Sequence, residues 1–233
     1  MMPTYDSIEI RLPNRVIDHA DERAAFFFVS NISSVGASAY DRRVASPLNP
    51  PDQFEVADVR TINTTMMART QYVHWAQFTE SDEPLAWLRA LGASWDLFTM
   101  DDEAWVAAQC ERRILAALTG LMAPYRTTSI TTKLLHLKRP KLIPICDSYV
   151  TAMIQKRAGD AGETTKLIVA VRVIGRENLD SLVEVSKRLA SIGIDRTLVR
   201  ILDALLWSDF QNQGPEAEFG RWLVQWRQGR LFF

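Results

Sequence analysis

Apolar residues along this chain recur mostly three and four positions apart, the spacing of helices that bury one side. Phe54, Val56, Val59, Ile62 and Met66 mark one such side, after a turn-rich Pro47–Asp52 (PLNPPD) whose Asp52 is placed to cap the helix. Ser81–Leu91 (SDEPLAWLRAL) has Ser81 as N-cap, acids in its first turn and Gly92 just past its end. Thr99 is placed to cap a longer helix reaching about Met122, with Trp105, Cys110, Ile114, Leu118 and Leu121 inward. After a Gly159–Gly162 turn, the pattern predicts helices over Glu163–Ile174, over Leu179–Ile192 (closed by Gly193) and over Thr197–Phe210, the last capped by Asp195. Asp203 interrupts the apolar run of that last helix and, if buried, requires a partner, which Arg200 or a residue of the basic run Arg126–Lys141 could supply. Pro215–Phe233 reads as a short amphipathic helix, a candidate oligomer or partner contact through Phe219, Trp222, Leu223 and Trp226.

Strand spacing is confined to Ser7–Leu12 (SIEIRL), which Pro13-Asn14 breaks and which has no evident partner. Asp21–Val29, with its Phe26-Phe27-Phe28 triplet, suits either a buried helix or a second strand. Ser33–Asp41 reads as a loop or helix-packing contact around Gly36. Together these elements predict an all-α fold, a single domain with closely packed lobes over 1–125 and 126–233 and at most a minor β element near the N-terminus.

One stretch departs from simple periodicity. In Thr131–Leu137 the residues Leu134, Leu135 and Leu137 form a short helical surface that must stop near Lys138, because Pro140 has no amide hydrogen to continue it. The prolines push Arg139 and Ile143 out of the helical region, which predicts an extended run from Pro140 to Pro144. Leu142, Ile143, Ile145 and Cys146 are apolar enough to thread a core, and Asp147 then opens a helix carrying Val150, Met153 and Ile154. An aspartate in that position accepts the first free amides, a structural task that contributes about 1 kcal/mol.

Composition narrows the function classes. With 27 basic and 28 acidic residues in 233, the net charge of −1 removes any whole-protein argument for nucleic-acid binding, so a basic site has to be local. The densest cationic run is Arg126–Lys141, which holds Arg126, Lys133, Lys138, Arg139 and Lys141 and no acid. Cys110 and Cys146 lack zinc spacing and read as buried free thiols. His19, His74 and His136 have no ligand spacing with Cys or acid, so neither a metal nor another cofactor is expected; of the three, His136 is placed to line the groove of the basic run. The acidic Asp101-Asp102-Glu103 suits a helix dipole better than a metal, since consecutive helical carboxylates diverge. No apolar run approaches a membrane span and the first residues lack a signal-peptide layout, so a cytoplasmic protein is expected.

The pattern K-L-L-x-x-K-R-P-x-L-I-P-x-x-D-S-x-V over Lys133–Val150 resembles the signature of an uncharacterised bacterial family of mostly helical proteins. Tyr40-Asp41-Arg42, Phe54–Met67 and Val199–Trp207 (VRILDALLW) extend that likeness. More distantly, Pro144–Val150 (PICDSYV) resembles the aspartate-bearing segment of helix-hairpin-helix DNA glycosylases. This second resemblance implies a glycosylase-like arrangement of two helical lobes, DNA as partner, and for Asp147 the role of catalytic carboxylate that stabilises positive charge on the sugar and orients water. Two departures bear on it: Arg126–Thr132 (RTTSITT) lacks the hairpin's glycines, and the lysine of bifunctional members falls near Ile130. The chemistry implied is therefore monofunctional base excision.

On that reading Arg126, Lys133, Lys138, Arg139 and Lys141 neutralise phosphates, and amides around Ser129–Thr132, Thr131 among them, hold one phosphate at a helix start. Tyr149 or Trp207 stacks on an extruded base. The competing expectation is a non-enzymatic helical module that binds a phosphorylated ligand, RNA or an acidic protein partner, with Asp147 only a cap.

Overall fold

In the computed structural model, which describes residues 7–29, 39–66, 68, 82–122 and 127–211, the N-terminal strand finds its partner across the next turn. β1 (Ile10–Leu12) pairs antiparallel with β2 (Arg15–Ile17), Ile10 opposite Ile17, and Pro13-Asn14 supplies the turn. Ile10, Leu12 and Ile17 are buried, so the hairpin lays one face on the helices. Among the described residues every regular element after it is a helix: α1 (Ala20–Val29), α2 (39–44), α3 (Val56–Thr65), α4 (Asp82–Ala90), α5 (Asp102–Ala107), α6 (Cys110–Leu121), α7 (Thr128–Lys138), α8 (Ser148–Ile154), α9 (Ala161–Glu177), α10 (Leu179–Ser191) and α11 (Leu198–Gln211). The fold is thus mostly helical with a small two-stranded sheet. Asp21–Val29 is settled as helix, with Phe27 and Phe28 in the core.

α1 packs on α10 and α11, α9 on α6, α6 on α4, α3 on α7, and α8 on both α9 and α11. At the centre lies α7, buried at ten of its eleven positions, so its polar side chains have to find partners inside the protein. Three glycines let aromatic rings lie directly on backbone. The rings of Trp95, Trp87 and Phe98 occupy the places where Cβ atoms of Gly92, Gly120 and Gly175 would stand.

Several elements differ from the sequence pattern, each for a local reason. The helix expected over Thr99–Met122 is two helices, α5 and α6, separated at Ala108-Gln109, where Gln109 takes a left-handed conformation (φ 52°). Asp101, not Thr99, caps α5, accepting the Ala104 amide at 2.7 Å. α3 is capped by Glu55 in a reciprocal box with Asp58, and Asp52 is engaged by Arg139 instead. Thr197, not Asp195, caps α11, its hydroxyl accepting the Arg200 amide at 3.2 Å. Asp160 caps α9, so Gly162 belongs to the helix and not to the turn. Pro140–Leu142 turns back instead of extending, because the Leu142 and Ile143 amides both bond to the Arg139 carbonyl. The amphipathic tail Pro215–Phe233, Gly36, Ser81 and Arg126 lie outside the described residues.

No helix among the described residues is long and apolar enough to cross a membrane.

Candidate functional site

Three helices begin on one cleft of about 1360 Å³. Thr127, Thr128 and Ser129 bring the start of α7 to it, Cys146, Asp147 and Ser148 the start of α8, and Gly159, Asp160 and Ala161 the start of α9. Each start is capped by a side chain of its own, Thr127, Asp147 and Asp160. Lys156 and Arg157, both exposed, stand on the rim between α8 and α9.

Asp147 holds the position that the proline-framed run predicts for it. Its Oδ1 accepts the Tyr149 and Val150 amides at 3.0 and 3.1 Å, and among the described residues no side chain bonds to it. Burial pushes its carboxyl above the usual aspartate range, while the two amides and the charge of Lys133 pull the other way.

Behind Asp147 the interior is charged. Lys133 donates its Nζ to the Met66 carbonyl at 2.9 Å, and the Tyr40 hydroxyl donates to the Lys133 carbonyl at 2.7 Å. Burial lowers the Lys133 ammonium, and the charges of Asp147 and Asp203 oppose that. Arg200 ties the cluster together. It contacts Asp203 one turn along α11 and donates Nε to Asp41 on α2 at 2.9 Å, while its guanidinium lies over the rings of Phe27, Phe28 and Tyr40. Arg196 adds a second cation to Asp41 at 3.3 Å. His136 stacks on Tyr40 and bonds through Nδ1 to the Ile143 carbonyl at 2.6 Å; burial drives its pKa down to about 4, so it is neutral.

The basic motif, by contrast, does not form one surface. Lys138 is internal, its Nζ between Asp58 Oδ2 at 2.6 Å and Asn49 Oδ1 at 2.5 Å, and Asp58 is shared with Arg43 at 2.8 Å. Arg139 is equally internal: its fork reaches the Leu88, Leu91, Pro51 and Lys138 carbonyls and Asp52. Lys141 alone among the described cations of that run is exposed. Thr131 and Lys133 are buried inside α7 and do not line the cleft.

Tyr149 and Trp207 pack edge-on against each other at 5.8 Å, Trp207 also meeting Phe27 at 5.2 Å and Tyr149 meeting Phe210 at 5.0 Å. Cys110 and Cys146 are free buried thiols. No group of His, Cys, Asp and Glu able to hold a metal occurs among the described residues, and Asp102 is used by Arg172 at 2.6 Å.

A family model described as a family of unknown function, DUF6308, matches residues 26–210. The chain belongs to that family. No curated protein and no solved structure matches it. The DUF6308 span contains every residue of the cleft and of the charged cluster, and leaves out the hairpin and most of α1's first two turns. Within that span, Asp41, Lys133, Asp147, Arg200 and Asp203 come from segments far apart in sequence. Sequence reasoning did not anticipate that Asp41 pairs with Arg200, that Asp160 caps α9, or that Lys156 and Arg157 line the cleft. Its one available signal was the polar interruption of the apolar α11 by Arg200 and Asp203, and it did not say which acid Arg200 would also hold.

Proposed function

We propose that this protein binds nucleic acid at the cleft where α7, α8 and α9 begin, and that Asp147 acts there as the carboxylate of a monofunctional base-excising hydrolase. The observation that carries the reading is a partly buried carboxylate lining a 1360 Å³ cleft whose rim bears two exposed cations, Lys156 and Arg157. A base extruded into a cleft of that size meets the hydroxyl-bearing residues Thr127, Ser129, Ser148 and Thr151, while the Thr128 hydroxyl is held by the Ala158 carbonyl and Thr164. Ionised Asp147 then stabilises positive charge on the sugar as the base leaves, and its free lone pairs orient the attacking water. Phosphate contacts fall to Lys156, Arg157 and the exposed Lys141, since Lys138 and Arg139 are committed to the interior.

The test is cleavage and binding of duplexes that carry different damaged bases. Asp147→Asn is expected to lower turnover at least about a hundredfold, as does the loss of one preorganised electrostatic group. The double variant Lys156→Gln/Arg157→Gln is expected to flatten the salt dependence of binding by about two in log–log slope, one per lost phosphate contact.

A second reading rests on a different observation: among the described residues Asp147 bonds only to the amides of its own helix, as a simple cap does. On that reading the cleft belongs to a binding module without chemistry. Salt-sensitive binding with no cleavage of any substrate, unchanged in Asp147→Asn, selects it.

A further inference from the structure

α8 is a short helix of 7 residues, too few to hold its place by its own hydrogen bonds, yet Asp147 caps its start and Lys156 and Arg157 follow its end. One face of α7 grips it. Thr128, Thr132 and His136 recur every fourth residue, so they form a single stripe along that helix, and all three are buried. Each reaches backbone of the segment that contains α8. His136 bonds through Nδ1 to the Ile143 carbonyl at 2.6 Å, Thr132 accepts the Cys146 amide at 3.0 Å, and Thr128 donates to the Ala158 carbonyl at 2.7 Å. The first two of these bonds fall before α8 and the last after it, so the stripe holds both ends of the segment.

We propose that this stripe sets where Asp147 stands in the cleft, and that Thr132 is the positioning residue through which it does so. The consequence for turnover rests on the reading of the cleft as a base-excising site. The two amide bonds to Asp147 Oδ1 fix the carboxylate relative to α8 alone. Thr132 ties the start of α8 to α7 at Cys146, the residue immediately before Asp147.

The Thr132 hydroxyl is set for this task. Its single proton goes to its own helix, at the Thr128 carbonyl 2.9 Å away, which leaves its lone pairs to the Cys146 amide. Both residues are buried, so removing the hydroxyl leaves that amide without its acceptor away from solvent. One turn earlier, Thr128 also meets the Thr164 hydroxyl at 2.9 Å, which brings α9 to the same stripe. At the other end His136 acts as a donor, its Nδ1 carrying the proton because a carbonyl can only accept. The walls contributed by α7, α8 and α9 are thereby held in one register. Thr132 itself does not line the cleft and touches no ligand.

Two measurements test it, each on Thr132→Val, which keeps the branched shape without the hydroxyl, and on Thr132→Ser, which keeps the hydroxyl. Native-state amide hydrogen exchange followed by NMR needs no ligand. In Thr132→Val the Tyr149 and Val150 amides are expected to exchange about tenfold faster, the worth of one hydrogen bond. The Ala104 amide, capped in the same way by Asp101 at the start of α5, reports general loosening and is expected to keep its wild-type rate. Thr132→Ser is expected to match wild type at all three. Unchanged exchange at Tyr149 and Val150 in Thr132→Val, an equal rise at Ala104, or the same rise in Thr132→Ser overturns the proposal.

The second measurement is cleavage of DNA duplexes that each carry a uracil, an oxidised guanine or an alkylated adenine. On a duplex that the wild type cleaves, Thr132→Val is expected to lower kcat about tenfold with KM within about twofold, as displacement of one reacting group does. Thr132→Ser is expected to restore it. Unchanged kcat, or a change confined to KM, overturns the proposal. Faster Tyr149 and Val150 exchange in Thr132→Val with no cleavage by the wild type upholds the positioning of Asp147 and overturns the base-excising reading of the cleft instead.

Discussion

Replacing Arg139 by Met tests whether the basic motif serves the interior or a ligand. A guanidinium has five N–H donors, and at Arg139 all of them are used. Nε meets the Leu91 carbonyl at 2.6 Å, Nη1 the Pro51 and Lys138 carbonyls at 2.5 and 2.9 Å, and Nη2 the Leu88 carbonyl and Asp52 at 2.7 and 2.6 Å. Met keeps the volume and strips the donors. Leu88 retains the Leu91 amide, and Asp52, half exposed, turns to water at little cost. The Leu91, Pro51 and Lys138 carbonyls are left without that partner, at roughly 1 to 3 kcal/mol each, offset by a guanidinium that no longer has to be desolvated. The expected loss is about 4 kcal/mol, or roughly 12 °C in melting temperature for a chain of this length. Arg139→Lys keeps the charge but not the fork and should lose about half as much. Urea and thermal unfolding followed by circular dichroism at neutral pH measure both. An Arg139→Met variant within about 1 kcal/mol of wild type that instead binds DNA more weakly with a shallower salt slope would refute the internal role.

Three further expectations follow from other places in the fold. Gly175→Ala puts a methyl into the ring of Phe98, which is fully buried and cannot swing out; a loss of about 3 kcal/mol in urea unfolding is expected, and a double-mutant cycle with Phe98→Leu should recover part of it. His136, depressed to about 4 in the fold against an ordinary 6.5, contributes stability that is present above pH 6.5 and lost as pH falls toward 4, about 3 kcal/mol in all. Asp203, raised to about 7, works in the opposite sense: its contribution is full below the ordinary aspartate value and is lost as pH rises through 7. Wild-type stability should therefore vary little between about pH 4 and 7. Asp203→Asn should expose the acid-side loss and His136→Gln the loss toward neutrality, and parallel pH profiles in all three proteins would contradict both assignments.

The parts of the fold that were legible in the sequence are those governed by local rules. Asp147 caps α8, Gly193 (φ 81°) closes α10, and Lys138 ends α7, all because caps, left-handed glycines and prolines act within a few residues. The break at Gln109 carries neither glycine nor proline, so the pattern ran straight through it. Lys138 and Arg139 were the costliest misreading. A run of cations next to a proline looks like a surface, and only the acceptors contributed by Asn49, Pro51, Asp52, Asp58, Leu88 and Leu91 make burial affordable. Those acceptors lie 48 to 89 residues away along the chain, where no periodicity can announce them. For the cleft, the sequence located one carboxylate correctly at a helix start and could not assemble the rest, since Thr127, Lys156 and Asp160 share a wall only after α7, α8 and α9 have folded toward each other.

The reach of Arg139 also bears on the order in which the chain matures. Carbonyls at the end of α4 and in the loop before α3 lie upstream of the residue that caps them all. A nascent chain released only as far as residue 125 holds those acceptors without Arg139, and Asp58 has Arg43 but not yet Lys138. The contacts of Leu91, Pro51 and Asp58 with Arg139 and Lys138 can therefore form only once the end of α7 has been made.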